Sequence, residues 1–278
     1  MDTQIETKFQ RMGARVKVTA LPEWALRQQP RRLRWGRQPE APSAIRVDIR
    51  LDARGEYFDV RRRNDVDVRV LDVRPADRHL LLMASERSGG QETKSRFLCG
   101  HDERSWFVAA VPEQAHASSV QGAKDALKPR EVWDAIREHG VMRDRDQRRT
   151  AAFIRQGEWF FIPRPRLKVA EKLVLRNEPI RRGAGKPHMC QFLYRTGGEQ
   201  VWVCAKYPNG LALAEYQAMS QQERDRHSWR PMVRDAQAYA KGNIRHPDHK
   251  TVWLSLWHQV VMNTETQSRA MRHVAFLD

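Results

Sequence analysis

The chain has 278 residues, of which 40% are apolar and 30% charged, and a formal net charge of +16. That apolar content supports a folded core, and the mixed signs of the charges exclude wholesale disorder. Three cysteines, Cys99, Cys190 and Cys204, are too few and too scattered for a disulfide framework and fit a reducing compartment.

No apolar run approaches the ~20 residues that cross a bilayer. The opening Met1-Asp2-Thr3-Gln4-Ile5-Glu6 lacks the basic-then-apolar order of a secretory leader. The expectation is a cytoplasmic protein without a membrane partner. The basic excess is mostly arginine, whose planar fork matches phosphate and stacks on bases, so the expected partner is nucleic acid.

Residues 1–42 are expected to form a basic, proline-rich arm. Prolines 22, 30, 39 and 42 forbid a continuous helix, and Arg31, Arg32, Arg34 and Arg37 surround Trp35. An arm of this kind tracks phosphates while its indole stacks on a base.

The segment 43–165 reads as an α+β domain. Ile45, Val47, Ile49 and Leu51 alternate with charged residues, the mark of a half-buried strand. Further strands are expected at Tyr57–Val60, Val66–Leu71, His79–Met83, Arg96–Cys99 and Trp106–Val111, an antiparallel meander. Ser118 or Ser119 is suited to cap a first helix, Pro129 to begin a second and Gly140 to end it, which predicts an αα-hairpin. Trp159–Ile162 closes the domain as a buried strand.

Residues 166–189 read as a basic linker, punctuated by Pro179, Pro187, Gly183 and Gly185. Arg164, Arg166, Arg181, Arg182 and Lys186 in and beside it are expected to contact phosphate. The run Arg181–Lys186 is not a phosphate-binding P-loop, because Ile180 occupies the first glycine position and Pro187 replaces the Ser/Thr. Residues 190–278 form the expected second, smaller and β-rich α+β unit. It includes a helix from Ala214 to His227, a His-rich hairpin and a helical pattern from Glu265 to Leu277.

The densest chemistry lies between Gly242 and Asn263, where His246, Asp248, His249 and His258 fall in one short span. Asp248-His249, followed by Asn263 and His273, resembles the His-Asn-His nucleases in order. That resemblance implies His249 as the base, Asn263 as the residue that orients it, and Asp248 and His273 as ligands of a divalent metal. A second metal pattern pairs Cys99-x-His101 with His188-x-Cys190, each placing two ligands on one face of an extended segment, with Cys204 as a further thiolate.

Three functions follow from these readings. The lead is a nucleic-acid-binding protein of weak sequence specificity that prefers RNA or single strands. The alternative is a metal-dependent nuclease built on the C-terminal Asp-His, Asn and His residues. The third is a scaffold or assembly protein whose partner is an acidic protein.

Overall fold

A computed structural model describes residues 2–21, 44–88, 90–182, 186–207 and 210–268. The arm residues Arg31, Arg32, Arg34, Trp35 and Arg37, and the proposed ligand His273, lie outside these residues. The fold is mixed α+β with mostly antiparallel sheets.

Helix α1 (Asp2–Arg11) turns Ile5 and Phe9 inward, and Phe9 meets Phe58 with ring centroids 5.1 Å apart. Strand β1 (Val16–Ala20) runs parallel to β3 (Gly55–Arg62), which forms a hairpin with β2 (Ile45–Asp52). The chain then makes a four-stranded meander of β4 (Asp67–Arg74), β5 (His79–Ser88), β6 (Gln91–Asp102) and β7 (Ser105–Val111). Strand alternation gives the meander two apolar faces. Leu80, Leu82, Phe97, Cys99 and Ala110 pack towards α1 and the first sheet. Leu81, Leu98, Ala109 and Val111 pack against α2 (Val120–Ala126).

Ser119 caps α2 by accepting the Gly122 N–H at 3.1 Å. Helix α3 (Arg130–Glu138) follows Pro129 and sits on a different sheet from α2: its Val132, Ala135 and Ile136 pack with Phe153, Phe160 and Ile162. Lys128, between the two helices, is 7% exposed. Its ammonium donates to Asp146 at 2.7 Å and to Asp125 at 3.1 Å. It is the tie between the two helices and the 142–148 turn.

The second half is organised by one six-stranded sheet. Strands β8 (Ile154–Gln156), β9 (Trp159–Pro163), β10 (Leu175–Ile180) and β11 (His188–Thr196) belong to it. A small sheet of β12 (Glu199–Val203), β13 (Leu211–Ala212) and β14 (Arg230–Arg234), with helices α4 (Leu213–Ala218) and α5 (Gln221–Asp225), is inserted next. Strands β15 (Gln237–Arg245) and β16 (Val252–Met262) then return to the large sheet, whose order is β10-β11-β15-β16-β9-β8.

Three sequence expectations differ from this arrangement. The division at residue 165 does not follow the sheets, because β8 and β9 pair into the same sheet as β16. The segment 166–189 holds strand β10 and the start of β11, its prolines taking positions near strand ends. The helix expected over 214–227 is two short ones, because Ser220 caps a new start by accepting the Glu223 N–H at 3.2 Å. Beyond Met262 the described chain makes a 3-10 turn, Thr264–Gln267, and most of the helical pattern lies outside the described residues.

The six-stranded sheet bends sharply at Gly242. Between the pairs Ala240/His258 and Gly242/Leu254, β16 contains two residues more than β15. Gly242 has φ +81°, and a Cβ there would stand 2.5 Å from Gln191 Oε1. That oxygen accepts the Asn243 N–H at 3.0 Å, satisfying a donor at the irregularity. The bend folds the strand over. Gln156 at the end of β8, 1% exposed, reaches across to the carbonyls of Ile244 (3.3 Å) and Lys250 (2.7 Å).

Burial raises the Asp125 and Asp146 carboxyls, but the bonds from Arg145 and Lys128 outweigh it and hold both below their usual value. A carboxylate depressed in the folded state stabilises above its unfolded pKa, ~4, and loses that contribution as pH falls through the folded value. Lys128→Ala is therefore expected to lower the unfolding free energy by about 1–3 kcal/mol at pH 7. Urea denaturation at a series of pH values should show the gap from the parent narrowing below pH ~4.

Candidate metal centre

Three histidines from two strand ends meet beside the β8–β9 turn. His188 is the first residue of β11, and Pro187 before it fixes an extended entry. His246 follows β15, and His249 lies in the connection to β16. One ring nitrogen of each residue lies within 4.8 Å of one from each of the others. The rings are fanned: centroids are 4.2 Å apart for His188 and His246, 4.6 Å for His246 and His249, and 5.6 Å for His188 and His249.

His188 is 1% exposed, and among the described residues neither of its ring nitrogens has a hydrogen-bond partner. Burial, then the neighbouring His246 and His249, pushes its pKa down to about 3. His246 and His249 are also lowered, by burial first. All three are neutral imidazoles at neutral pH, the state that ligates a metal.

His246 Nδ1 accepts the Asp248 N–H at 3.1 Å, a bond that a metal on this nitrogen would replace. His249 turns Nδ1 towards Glu103, whose Oε2 lies 3.9 Å away and accepts the Lys250 N–H at 2.7 Å. At 3.9 Å this is a charge contact and not a hydrogen bond, and His249 Nδ1 has no hydrogen-bond partner among the described residues. Glu103 comes from the β6–β7 turn of the meander, with φ +49°, and is held by Arg148.

Gly157 keeps the side of two rings clear of a side chain. Its φ is +58°, and a Cβ added there would lie 2.8 Å from His249 Nε2 and 3.4 Å from His188 Nε2. Both nitrogens therefore face the bare side of the glycine. The next residue, Glu158, is half-buried, and among the described residues no hydrogen bond or ion pair engages its carboxylate. Its charge acts on both His246 and His249.

The centre borders a cleft of about 600 Å3 between the meander and the six-stranded sheet, lined in part by His249, Gly157, Glu158 and Asn263. Among the described lining residues are seven Lys or Arg and seven Asp or Glu. Most are matched in pairs: Lys128 with Asp146, Arg148 with Asp102, Arg182 with Glu265 and Lys186 with Asp248. The cleft thus does not carry the chain's basic excess.

The structure separates several residues that the sequence grouped. His249 belongs to the cluster. Asp248 lies outside it, ion-paired with Lys186 at 3.1 Å. Asn263 lines the cleft and accepts the Glu265 N–H at 3.4 Å, while its own N–H donates to the Glu158 carbonyl at 2.8 Å. Arg182 is bound to the buried Glu265, Arg164 donates to Gln259 at 2.5 Å, and Arg166 and Arg181 are exposed. Cys190 lies deep in the sheet core, its thiol pushed up to about 12 by burial. Cys99 is in the meander core, where burial raises its thiol too, and Cys204 is buried. His101 packs edge-on to Trp106 at 4.9 Å. Of the thiol-histidine pattern only His188 reaches the cluster. The sequence carried two signals for the rest: the His246-x-x-His249 spacing across a Pro-Asp turn, and a histidine directly after Pro187.

Comparison with known proteins returned no match from protein-family models, characterised proteins or solved structures.

Gly157→Ala tests the space at the centre. It should destabilise the fold by about 1–2 kcal/mol through its left-handed backbone and weaken zinc binding at least about tenfold (~1.4 kcal/mol). Gly140→Ala is the control: its φ is also positive, +66°, with nothing within 4 Å of the added Cβ. It should share the stability loss and keep the metal affinity. A chelator-competition titration beside chemical denaturation measures both.

Proposed function

We propose that the protein is a metal-dependent hydrolase of nucleic acid, with His188, His246 and His249 as the ligands of one divalent transition metal. The observation that carries this reading is His188, 1% exposed and unpartnered at both ring nitrogens, facing two further neutral imidazoles. Three imidazoles suit zinc and its neighbours, and a hydrolytic site keeps a further coordination position open to substrate or water. His249 borders the cleft, which supplies that access.

The roles follow from position. His249 serves as a ligand, its Nδ1 facing Glu103 at 3.9 Å. Glu158 outside the ligand set is suited to take a proton from water, because its carboxylate is free of partners among the described residues and sits beside the cluster. A bound metal supplies Lewis acidity, which lowers the pKa of water and stabilises charge on a phosphoryl oxygen. The net charge of +16 supports a polyanionic substrate.

The test is cleavage of fluorescent single-stranded DNA and RNA by protein stripped with EDTA and reloaded with zinc, manganese or magnesium. Activity should appear only with metal, and Glu158→Gln should reduce kcat by about 10²–10⁴ while metal content stays at the parent level. A metal-loaded parent that cleaves neither nucleic acid, or a Glu158→Gln variant as fast as the parent, would refute this function.

A further inference from the structure

The large sheet has a second face that the metal centre does not use. Leu193, Cys190, Ala240, Ile244 and Leu254 point into the core. Strand alternation then sends Phe192, Tyr194, Tyr239, Lys241 and Trp253 to the other side. Helix α3 covers only the part of that side formed by Phe160, Ile162 and Val261. Over β10, β11 and β15 no other described helix packs on the remainder, where Phe192, Tyr194, Tyr239 and Lys241 are half-buried.

The register places this set in rows. Arg176, Phe192 and Lys241 are cross-strand neighbours, as are Tyr194, Tyr239 and Gln259. The Arg176 guanidinium lies 5.2 Å from the Phe192 ring centre, and Tyr194 meets Tyr239 at 6.0 Å and Trp257 at 6.5 Å. Trp253 faces outward beside Asn243 and is 55% exposed, an unusual position for an indole. Arg164 donates to Gln259 at the border, and Arg245 is exposed at the end of β15. None of these outward residues is acidic. Among the described residues the carboxylate tied to them is Glu171, which pairs with Arg176 at 3.0 Å with both side chains mostly in water, so the pair is readily exchanged.

We propose that this face binds single-stranded nucleic acid. Aromatic rings on an open sheet offer stacking surfaces to unpaired bases, and cations among them follow the phosphates. A duplex hides its base faces and would use only the cations. An acidic protein would likewise leave the rings unemployed. This inference rests on the nucleic-acid part of the reading above but not on the metal, and it gives the strand a surface separate from the charge-balanced cleft.

The experiment is fluorescence anisotropy with the full chain, in EDTA so that nothing is cleaved, using labelled oligo(dT), oligo(U) and a duplex of equal length. The parent should bind the single strands more tightly than the duplex. Trp253→Ala and Tyr194→Ala should each weaken single-strand binding about tenfold or more. Lys241→Glu should weaken binding to every sequence and reduce the salt slope by about one. Trp253 is exposed enough that its removal should leave the unfolding midpoint unchanged, which keeps the test independent of folding. If the parent binds single strands and Trp253→Ala with Tyr194→Ala binds equally well, the sheet face is not the platform, although nucleic-acid binding stands. If the parent binds duplex better than single strands, the platform falls while nucleic-acid binding stands; if it binds neither in low salt, both the platform and the nucleic-acid reading fall.

Discussion

Strand β16 contains two residues more than its partner across the Gly242 bend, and the geometry of the second half depends on that mismatch. A straight strand of eleven residues separates its ends by ~35 Å. Here the turn Gly157-Glu158 touches both: Gly157 lies under His249 before the strand, and the Glu158 carbonyl accepts the Asn263 N–H just after it. Coiling of this degree needs a residue that tolerates positive φ where Gln191 crowds the backbone, and glycine at 242 meets both demands. The same strands enclose the apolar core of the sheet, and among the described residues the opposite face is only partly covered.

The polar centre sits where that enclosure is tightest. An imidazole buried without a partner costs on the order of 1–3 kcal/mol, and His188 bears this at both nitrogens while adjoining two more rings. Leucine would pack there without the cost. A metal ion would supply the partner that these neutral nitrogens lack. The surrounding carboxylates fit the same account. Glu103 crosses from the meander to face His249, so the two halves of the chain jointly shape the centre. Arg148 ties Glu103 and Asp102 in place.

Much of the secondary structure was legible because strand alternation is local. The Ile45–Leu51 alternation, the Trp106–Val111 strand, the Ser119 cap and the His-rich hairpin are all features of neighbouring residues. The sheet partnership of β9 with β16 was not legible, since the prolines and basic residues between 163 and 189 look like a linker when pairing is unknown. The site divided in the same way. His249 was visible within a dense local cluster. His188, more than fifty residues earlier, joined it only through the β11–β15 pairing, and its apparent partner Cys190 pointed into the core instead. Gly157 carried no signal, because its importance is the absence of a side chain next to two rings that the sequence places far away. Charge was legible in total but not in location: the lysines and arginines of the cleft are balanced by acids, and open cations lie on the sheet face.

X-ray absorption on the purified protein tests the three-imidazole metal centre most directly. The expected result is about one transition metal per chain, with nitrogen ligands near 2.0–2.1 Å and the outer-shell scattering of imidazole rings, lost together in His188→Ala. A protein that takes up no stoichiometric metal, or a metal whose spectrum is unchanged when His188 is replaced, would contradict it.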